Sequence, residues 1–560
     1  MSSLSRPAFE RRSGFPSGKA CIRAFGWIAA VAVLAYAALL FGTTLWLSLG
    51  TPFRFIDDYG DWQAVSLFDS GGFSRWFFGE VLSGTPGRWR PGFTLFNAVS
   101  WRLFGPNPAL HHLARIATTV ATAAMSALFV RLSFRRSLSR LSRADRFAIL
   151  AVPVLMILFW PNRPDARLAP QEVPSAFWLA AANLLLLLVA RAGRNAGRAI
   201  RICLPAAFSA SLLLLAVSKE TNVAVLPVFA IAAAVLAFRG SLRTALPAGA
   251  ASLAILGLSV RNVLAAMRGD GYAHAGLSAA AAVGNAISIG RDLFGFPASV
   301  PLALVLLAGT AAPFLLAAAA FRDPERREEA AWTALLCAET LALAAVLSIQ
   351  WTVVLRYWYP LVPLVASLAA VSALSLFRRA PERSTLLRPL LAVLAAAFLV
   401  CNGHDYCRQF VVQRTAGEVE AAALRVAARE AAEGRTVLVR SSETSEYHDK
   451  FLQAAGPFRR RFGGEAVPLE ECRGRPMSLA AGETYATMAR GELAVRPFEI
   501  CSRTAEDLPV RPLLRIVRRG SALFQLRRDP VERMDAGTVD PRYVWVFFRG
   551  PVPEAKEPSR

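Results

Sequence analysis

The chain has 560 residues, of which 54% are hydrophobic and 18% charged, and its mean hydropathy is +0.39. That balance excludes an ordinary water-soluble globular protein. The formal net charge of +23, with a pI near 10.8, would point to nucleic acid in a soluble chain. Here the arginines fill short gaps between apolar blocks, so membrane orientation accounts for them and no nucleic-acid partner is expected.

Residues 1–22 are polar and basic and run into the first apolar block without a small-residue cleavage site, which reads as an uncleaved cytoplasmic start. Apolar helices are predicted over residues 24–46, 112–132, 147–160, 173–191, 203–218, 220–238, 245–263, 297–320, 331–349, 353–375 and 386–401. Allowing roughly 20 residues per crossing, this is a polytopic α-helical membrane protein with about 11 transmembrane helices. Basic residues beside the apolar blocks then fix its orientation. Arg6, Arg11, Arg12, Lys19 and Arg23 place the N-terminus in the cytoplasm. The basic gaps 131–146, 191–201, 239–243, 322–327 and 378–388 fall on the same side if every helix crosses once. The expected location is a bacterial inner membrane, with residues 1–401 as the membrane domain and residues 402–560 as a soluble periplasmic domain.

Two outer loops, 47–111 and 264–296, are too long for simple turns, and their short apolar stretches suit interfacial helices. Trp46, Trp62, Trp76, Trp89 and Trp101 cluster around the first and are expected at the headgroup level. This loop opens with Asp57, Asp58 and Asp61 just beyond a membrane helix. Crowded carboxylates there are paired, metal-bound or raised in pKa, which suits a general base; the other reading is a hydrated, helix-capping turn. Arg88 and Arg90 follow in Gly87-Arg88-Trp89-Arg90-Pro91, and guanidinium forks match the oxygens of a lipid phosphate. His111 and His112 end the loop with no nearby histidine to complete a metal set.

Further along, Ser218-Lys219-Glu220-Thr221-Asn222 puts a Lys–Glu pair between two apolar blocks, where charge must be paired or face a cavity. At the outer end of a hairpin, Lys219 would face the same phosphate as Arg88, with Glu172 on that side near a helix start. Arg356 and Tyr357, in the aromatic run 350–360, form either an interfacial belt or a clamp on a polyprenyl phosphate head.

The seven cysteines are scattered singly and fit no metal-ligand spacing, while Cys401 and Cys407 are close enough for a disulfide if outside. Beyond residue 402 the composition turns polar. A helix over 418–433 and strands at 435–440, 514–517 and 543–548 predict a soluble α/β or α+β domain. The loop 441–449, rich in serine and acids, is either an acceptor contact or a solvated turn.

Taken in order, Asp57-Asp58, Arg88 to Pro91 with Phe104-Gly105, Pro174 before Trp178, Ser218-Lys219-Glu220, and Arg356-Tyr357 before Pro360 resemble the membrane-embedded GT-C glycosyltransferases. The similarity is to the polyprenyl-phosphate-sugar-dependent mannosyltransferase and arabinosyltransferase type, over residues 25–400. It implies a GT-C-like fold and an enzyme that transfers a sugar, with inversion, from a polyprenyl-phosphate donor to a glycan, lipid or protein acceptor at the outer face. On this resemblance Asp57 or Asp58 is the acceptor-activating base, and Arg88, Arg90, Lys219 and Arg356 hold the donor phosphate. Asp61, Glu172, Glu220 and Tyr357 are supporting or acceptor residues. No cofactor is required, although the acidic cluster leaves room for a divalent cation. The sequence departs from the mannosyl members in its few histidines and at residues 161–165. The alternative is a transporter or flippase of a lipid-linked precursor, which predicts internal repeats and helices broken at the midplane. No such repeat is evident. A polysaccharide ligase or polymerase would share the broad plan.

Overall fold

The computed structural model describes residues 18–53, 71–83, 89–160 (except 106), 168, 171–192, 197–238, 242–269, 279–294, 300–349 (except 322, 324 and 325), 355–379 and 386–400. It also describes residues 402, 407, 410 and 414, and three short strands. The helices are α1 (Gly18–Leu49), α2 (Pro91–Phe104), α3 (Pro108–Ser133), α4 (Arg143–Leu158), α5 (Glu172–Arg191), α6 (Arg198–Ser218) and α7 (Leu226–Phe238). They continue as α8 (Leu242–Gly269), α9 (Ala279–Phe294), α10 (Val300–Ala320), α11 (Arg327–Ser348), α12 (Val362–Arg379) and α13 (Leu386–Val400).

Among the described residues, seven helices are long and apolar enough to cross a bilayer: they lie in α1, α3, α5, α6, α8, α11 and α12. Stretches at Glu220–Leu236, Leu307–Ala317 and Leu386–Val400 are apolar but shorter, and α4 has 16 residues. Of the about 11 expected helices, the described residues thus show seven of full crossing length together with these shorter apolar ones. The protein is a multi-pass α-helical membrane protein. Its outward surface carries large apolar side chains, including Leu315 at 79%, Leu103 at 69% and Trp27 at 65% exposure. In water such a surface would aggregate, whereas lipid is its natural solvent.

Inside, Val173, Leu186, Phe208, Leu215, Val362 and Leu368 are among the residues of one continuous core. Helix α5 packs against α3 and α6, α8 against α6 and α7, and α12 against α4 and α10. The arginine-rich connections meet at one end of this bundle. Glu329 accepts from the backbone N–H and hydroxyl of Ser137 and faces Arg378 at 3.8 Å. Arg191 pairs with Glu328 at 3.4 Å, and Arg388 donates to Asp145 and Ser142. Thus described residues in or beside the gaps 131–146, 191–201, 322–327 and 378–388, grouped by charge in the sequence, meet in space.

The described part of the segment between α1 and α3 forms a small core with Val217 of α6. A π-helix at Arg75–Leu82 and the helix α2 bring Trp76, Val81, Trp89 and Val217 together. Trp76 Nε1 donates to the Pro91 carbonyl at 2.5 Å, and Trp89 Nε1 donates to that of Glu80 at 3.1 Å. This corrects the expectation of headgroup anchors: Trp76, Trp89 and Trp101 are buried, while Trp46 is exposed. Each of the first two rings finds an internal acceptor for its N–H, so it has no need of the interface. Within the second long loop, 264–296, α8 extends to Gly269 and α9 covers Ala279–Phe294.

Beyond residue 414, the strands β1 (Val437–Ser441), β2 (Leu469–Glu471) and β3 (Phe498–Ser502) are described. They form a sheet in the order β2-β1-β3, with β1 parallel to β2 and antiparallel to β3. The predicted helix over 418–433, the strands at 514–517 and 543–548, and residues 442–449 lie outside the described residues. Cys407 is buried and free, and Cys401 lies outside the description.

Candidate functional site

Five of the predicted side chains meet at the end of the bundle opposite the arginine-rich surface. The chain reaches this place through a break. Helix α6 stops at Ser218, Lys219 adopts an extended backbone (φ −161°, ψ 140°), and a 3-10 helix runs over Glu220–Val225 before α7. Two adjacent apolar helices thus became a crossing, an interruption and a second helix. Asn222 secures the interruption by donating to the Leu215 carbonyl at 2.9 Å and to Ser175 Oγ of α5 at 3.0 Å.

At the break, Lys219 Nζ donates to Glu172 Oε1 at 2.6 Å, and both side chains are almost wholly buried at 2% and 3% exposure. The ammonium also lies 3.5 Å from the centre of the Tyr357 ring. Tyr357 comes from a 3-10 helix, Leu355–Leu361, that packs against α5. Burial lowers the Lys219 pKa, and the adjacent Glu172 opposes that shift. A charge this deep is stable only with such compensation.

One residue on, Glu220 receives Arg90 Nε on both carboxylate oxygens at 2.7 and 2.8 Å. Arg90 caps α2 just ahead of Pro91, and a close helix contact sets its position. A Cβ on Gly92 would stand 2.8 Å from Val217 Cγ2 and 3.0 Å from the Val217 backbone. Only glycine lets the start of α2 lie this close to the end of α6. The Arg90–Glu220 pair is about one-fifth exposed, so it forms the more open side of the cluster. Glu220 occupies Nε alone, leaving the two terminal amino groups of Arg90 outside that pair.

Arg90, Glu172, Lys219, Glu220 and Tyr357 are therefore brought together from α2, α5, the α6–α7 break and the 3-10 helix before α12. Arg356 belongs to that 3-10 helix, but its side chain is outside the described residues, as are Asp57, Asp58, Asp61 and Arg88. Two cations and two carboxylates make the described cluster formally neutral. Lys219 is buried against Glu172, whereas Arg90 is the more exposed cation of the cluster. Among the described residues, no group of three or more His, Cys, Asp or Glu side chains could hold a metal ion.

Sequence reasoning passed over Arg115, Asn183 and Glu339 and gave His111 no partner. Arg115 is buried, bonds the Leu168 carbonyl and lies 4.5 Å from the Phe96 ring centre. His111 bonds the Gly105 carbonyl at 2.9 Å among Phe53, Trp101 and Phe104. Deeper in the bundle, Asn183 donates to Glu339 at 2.8 Å, with both residues buried. Glu339 stands alone in an apolar run, and that was the available signal.

No protein-family description and no curated protein matches the chain. Among solved structures it is similar to ArnT from Cupriavidus metallidurans bound to undecaprenyl phosphate: 15% identity, 77% of this chain and 85% of that chain covered, TM-score 0.46. Its unliganded form gives 14% identity, the same coverage and a TM-score of 0.44. The archaeal oligosaccharyltransferase AglB from Archaeoglobus fulgidus, in complex with an inhibitory peptide and a dolichol-phosphate, gives 14% identity and a TM-score of 0.41, with 81% of this chain and 62% of that chain covered.

Proposed function

We propose that this protein is a GT-C-type glycosyltransferase that moves a sugar from a polyprenyl-phosphate donor to a cell-envelope glycan, lipid or protein at the outer face of the membrane. The observation that carries this reading is the compensated charge cluster of Arg90, Glu172, Lys219, Glu220 and Tyr357 at the end of the bundle away from the arginine-rich surface. Buried charges in a membrane protein mark functional places because bare stability would favour apolar side chains there.

In the proposed reaction, Asp57 or Asp58 takes the proton of the acceptor hydroxyl as its oxygen attacks the anomeric carbon. The bond to the donor phosphate breaks on the opposite face, which inverts the centre. Arg88, Arg356 and the free end of Arg90 receive the charge that develops on the leaving phosphate, where fixed cations are most effective. Lys219 and Glu172 hold the α5 start and the Tyr357 ring in place, and Glu220 orients Arg90. Asp61 supports the base. The donor's apolar tail stays in lipid or in a groove between helices. In this proposal the N-terminus lies in the cytoplasm and the segment that holds the sheet lies outside it.

The test is transfer by the purified protein from a panel of polyprenyl-phosphate sugars. Loss of the base, by Asp57→Ala or Asp58→Ala, is expected to slow transfer by about 10²–10⁴-fold in one of the two variants. Unchanged transfer in both would remove the base assignment. Substrate-dependent transport with no turnover of any lipid donor would replace the enzyme by the flippase reading.

A further inference from the structure

A cavity of about 1410 Å³ lies between α1, α4, α10, α12 and α13, away from the charge cluster. It exceeds the roughly 300–1,000 Å³ of a small-molecule site. Its walls are aliphatic and aromatic almost throughout, and its charged lining residues are three arginines, Arg143, Arg379 and Arg388. All three sit at the arginine-rich end of the bundle. Arg388 is already held by Asp145 at 2.6 Å, whereas Arg143 and Arg379 are exposed at the mouth. One polar group on the wall is satisfied internally, since Ser372 donates to the Gly309 carbonyl.

The cavity's shape narrows the choice of ligand. Its lining on α4 runs from Arg143 to Met156, which is about 20 Å at roughly 1.5 Å per residue. One leaflet contributes about half of a ~30 Å hydrocarbon core, so the slot matches an acyl chain with its headgroup at the arginines. Trp27, Phe147 and Leu315 on its lining are exposed to the bundle's lipid-facing surface, so a lipid can enter sideways. The mouth is also far from the proposed catalytic end. Helix α12 separates the neighbourhood of Tyr357 from Arg379 by roughly 25 Å.

We propose that this cavity binds one acidic phospholipid of the leaflet at the basic end, with an acyl chain in the slot and its phosphate set between Arg143 and Arg379. Positive charge at the mouth and apolar walls behind it complement the two halves of such a molecule. A neutral hydrocarbon would leave the arginines unused, and a soluble anion would leave the slot empty.

Native mass spectrometry of the full-length protein in detergent tests this with phosphatidylglycerol and phosphatidylcholine of identical chains. The parent is expected to retain one phosphatidylglycerol about tenfold more than phosphatidylcholine. The Arg143→Gln/Arg379→Gln variant should lose that preference, and Ala151→Phe, which fills the slot, should lose about tenfold of the retention itself. Ala312→Phe repeats the filling from the α10 wall should Ala151→Phe fail to elute as a folded species. Equal retention of the two lipids by the parent, a preference that survives loss of both arginines, or full retention in the slot-filled protein would each overturn the proposal. Displacement of phosphatidylglycerol by polyprenyl phosphate would assign the slot to the donor's tail instead, and that also overturns it.

Discussion

Lys219 shows how one residue's chemistry depends on its neighbours. As a lone lysine between apolar blocks it is an unstable placement, but with Glu172 at 2.6 Å and the Tyr357 ring beneath it the charge is compensated. Removing one partner of such a pair leaves the other charge buried without it. Lys219→Ala is therefore expected to destabilise the protein by about 3–5 kcal/mol, read from melting of the purified protein. The Lys219→Met/Glu172→Leu double variant should lose much less than the two single variants together, because it buries no charge. Strict additivity would show that the two residues are not coupled. Gly92 acts through space alone. Gly92→Ala would push against the Val217 backbone, move the start of α2 and separate Arg90 from Glu220. Transfer is expected to fall with the protein still folded; wild-type rates in Gly92→Ala would show that this contact does not set the site.

At the scale of the element, the two ends of the helices carry different devices. At the break after α6, an extended residue and a 3-10 turn replace regular helix, and Asn222 supplies bonds the backbone has lost. At the basic end, α4 begins with a capping interaction: Asp145 N–H donates to Ser142 Oγ, and that hydroxyl donates to the Asp145 carboxylate at 2.6 Å. Arg388 from α13 closes on the same carboxylate. Burial raises the Asp145 pKa, but the bonds from Arg388 and Ser142 outweigh it and hold the pKa below its ordinary value of 3.8. A carboxylate with a depressed pKa stabilises the fold above its unfolded value, and this contribution is lost as pH falls through the folded one. The melting-temperature difference between the parent and Asp145→Asn should thus be constant from about pH 8 to pH 5 and shrink below about pH 4. A difference independent of pH down to the acid limit would remove the ion-pair account.

For the whole molecule, the basic surface and the charge cluster define opposite ends of one bundle. Helix α5 starts at Glu172 and ends at Arg191, α6 returns from Arg198 to Ser218, and α12 runs from the Tyr357 neighbourhood to Arg379. The positive-inside rule assigns the arginines to the cytoplasm. In a background with all seven cysteines replaced by serine, Ser139→Cys should be labelled by an impermeant thiol reagent only after the membrane is opened. Ser83→Cys, near the other end, should be labelled in intact cells. The reverse pattern would invert the protein and move the proposed chemistry to the cytoplasmic face.

Much of this arrangement was legible along the chain. Apolar length predicted most helices because a bilayer imposes that length directly, and the clustered arginines predicted which connections share a side. The residues of the charge cluster were visible because Lys219, Glu172 and Glu220 interrupt or border apolar blocks, where charge is conspicuous. Among the described residues, seven of the expected helices are long and apolar enough to cross and others are shorter, since hydropathy registers composition but not where a helix stops. Nor did the sequence distinguish an interfacial tryptophan from a buried one: Trp76 and Trp89 are internal because Pro91 and Glu80 offer carbonyls within reach.

The sequence by itself determined that this is a multi-pass membrane protein with its basic connections on one side, because lipid and charge act on composition over short stretches. Only the tertiary structure decided which charges are already compensated, how Gly92 brings Arg90 to Glu220, and where the helices leave an apolar slot with an arginine mouth. Those facts depend on partners 47 and 130 positions away, set by packing and hydrogen-bond geometry. No local pattern in the chain encodes them.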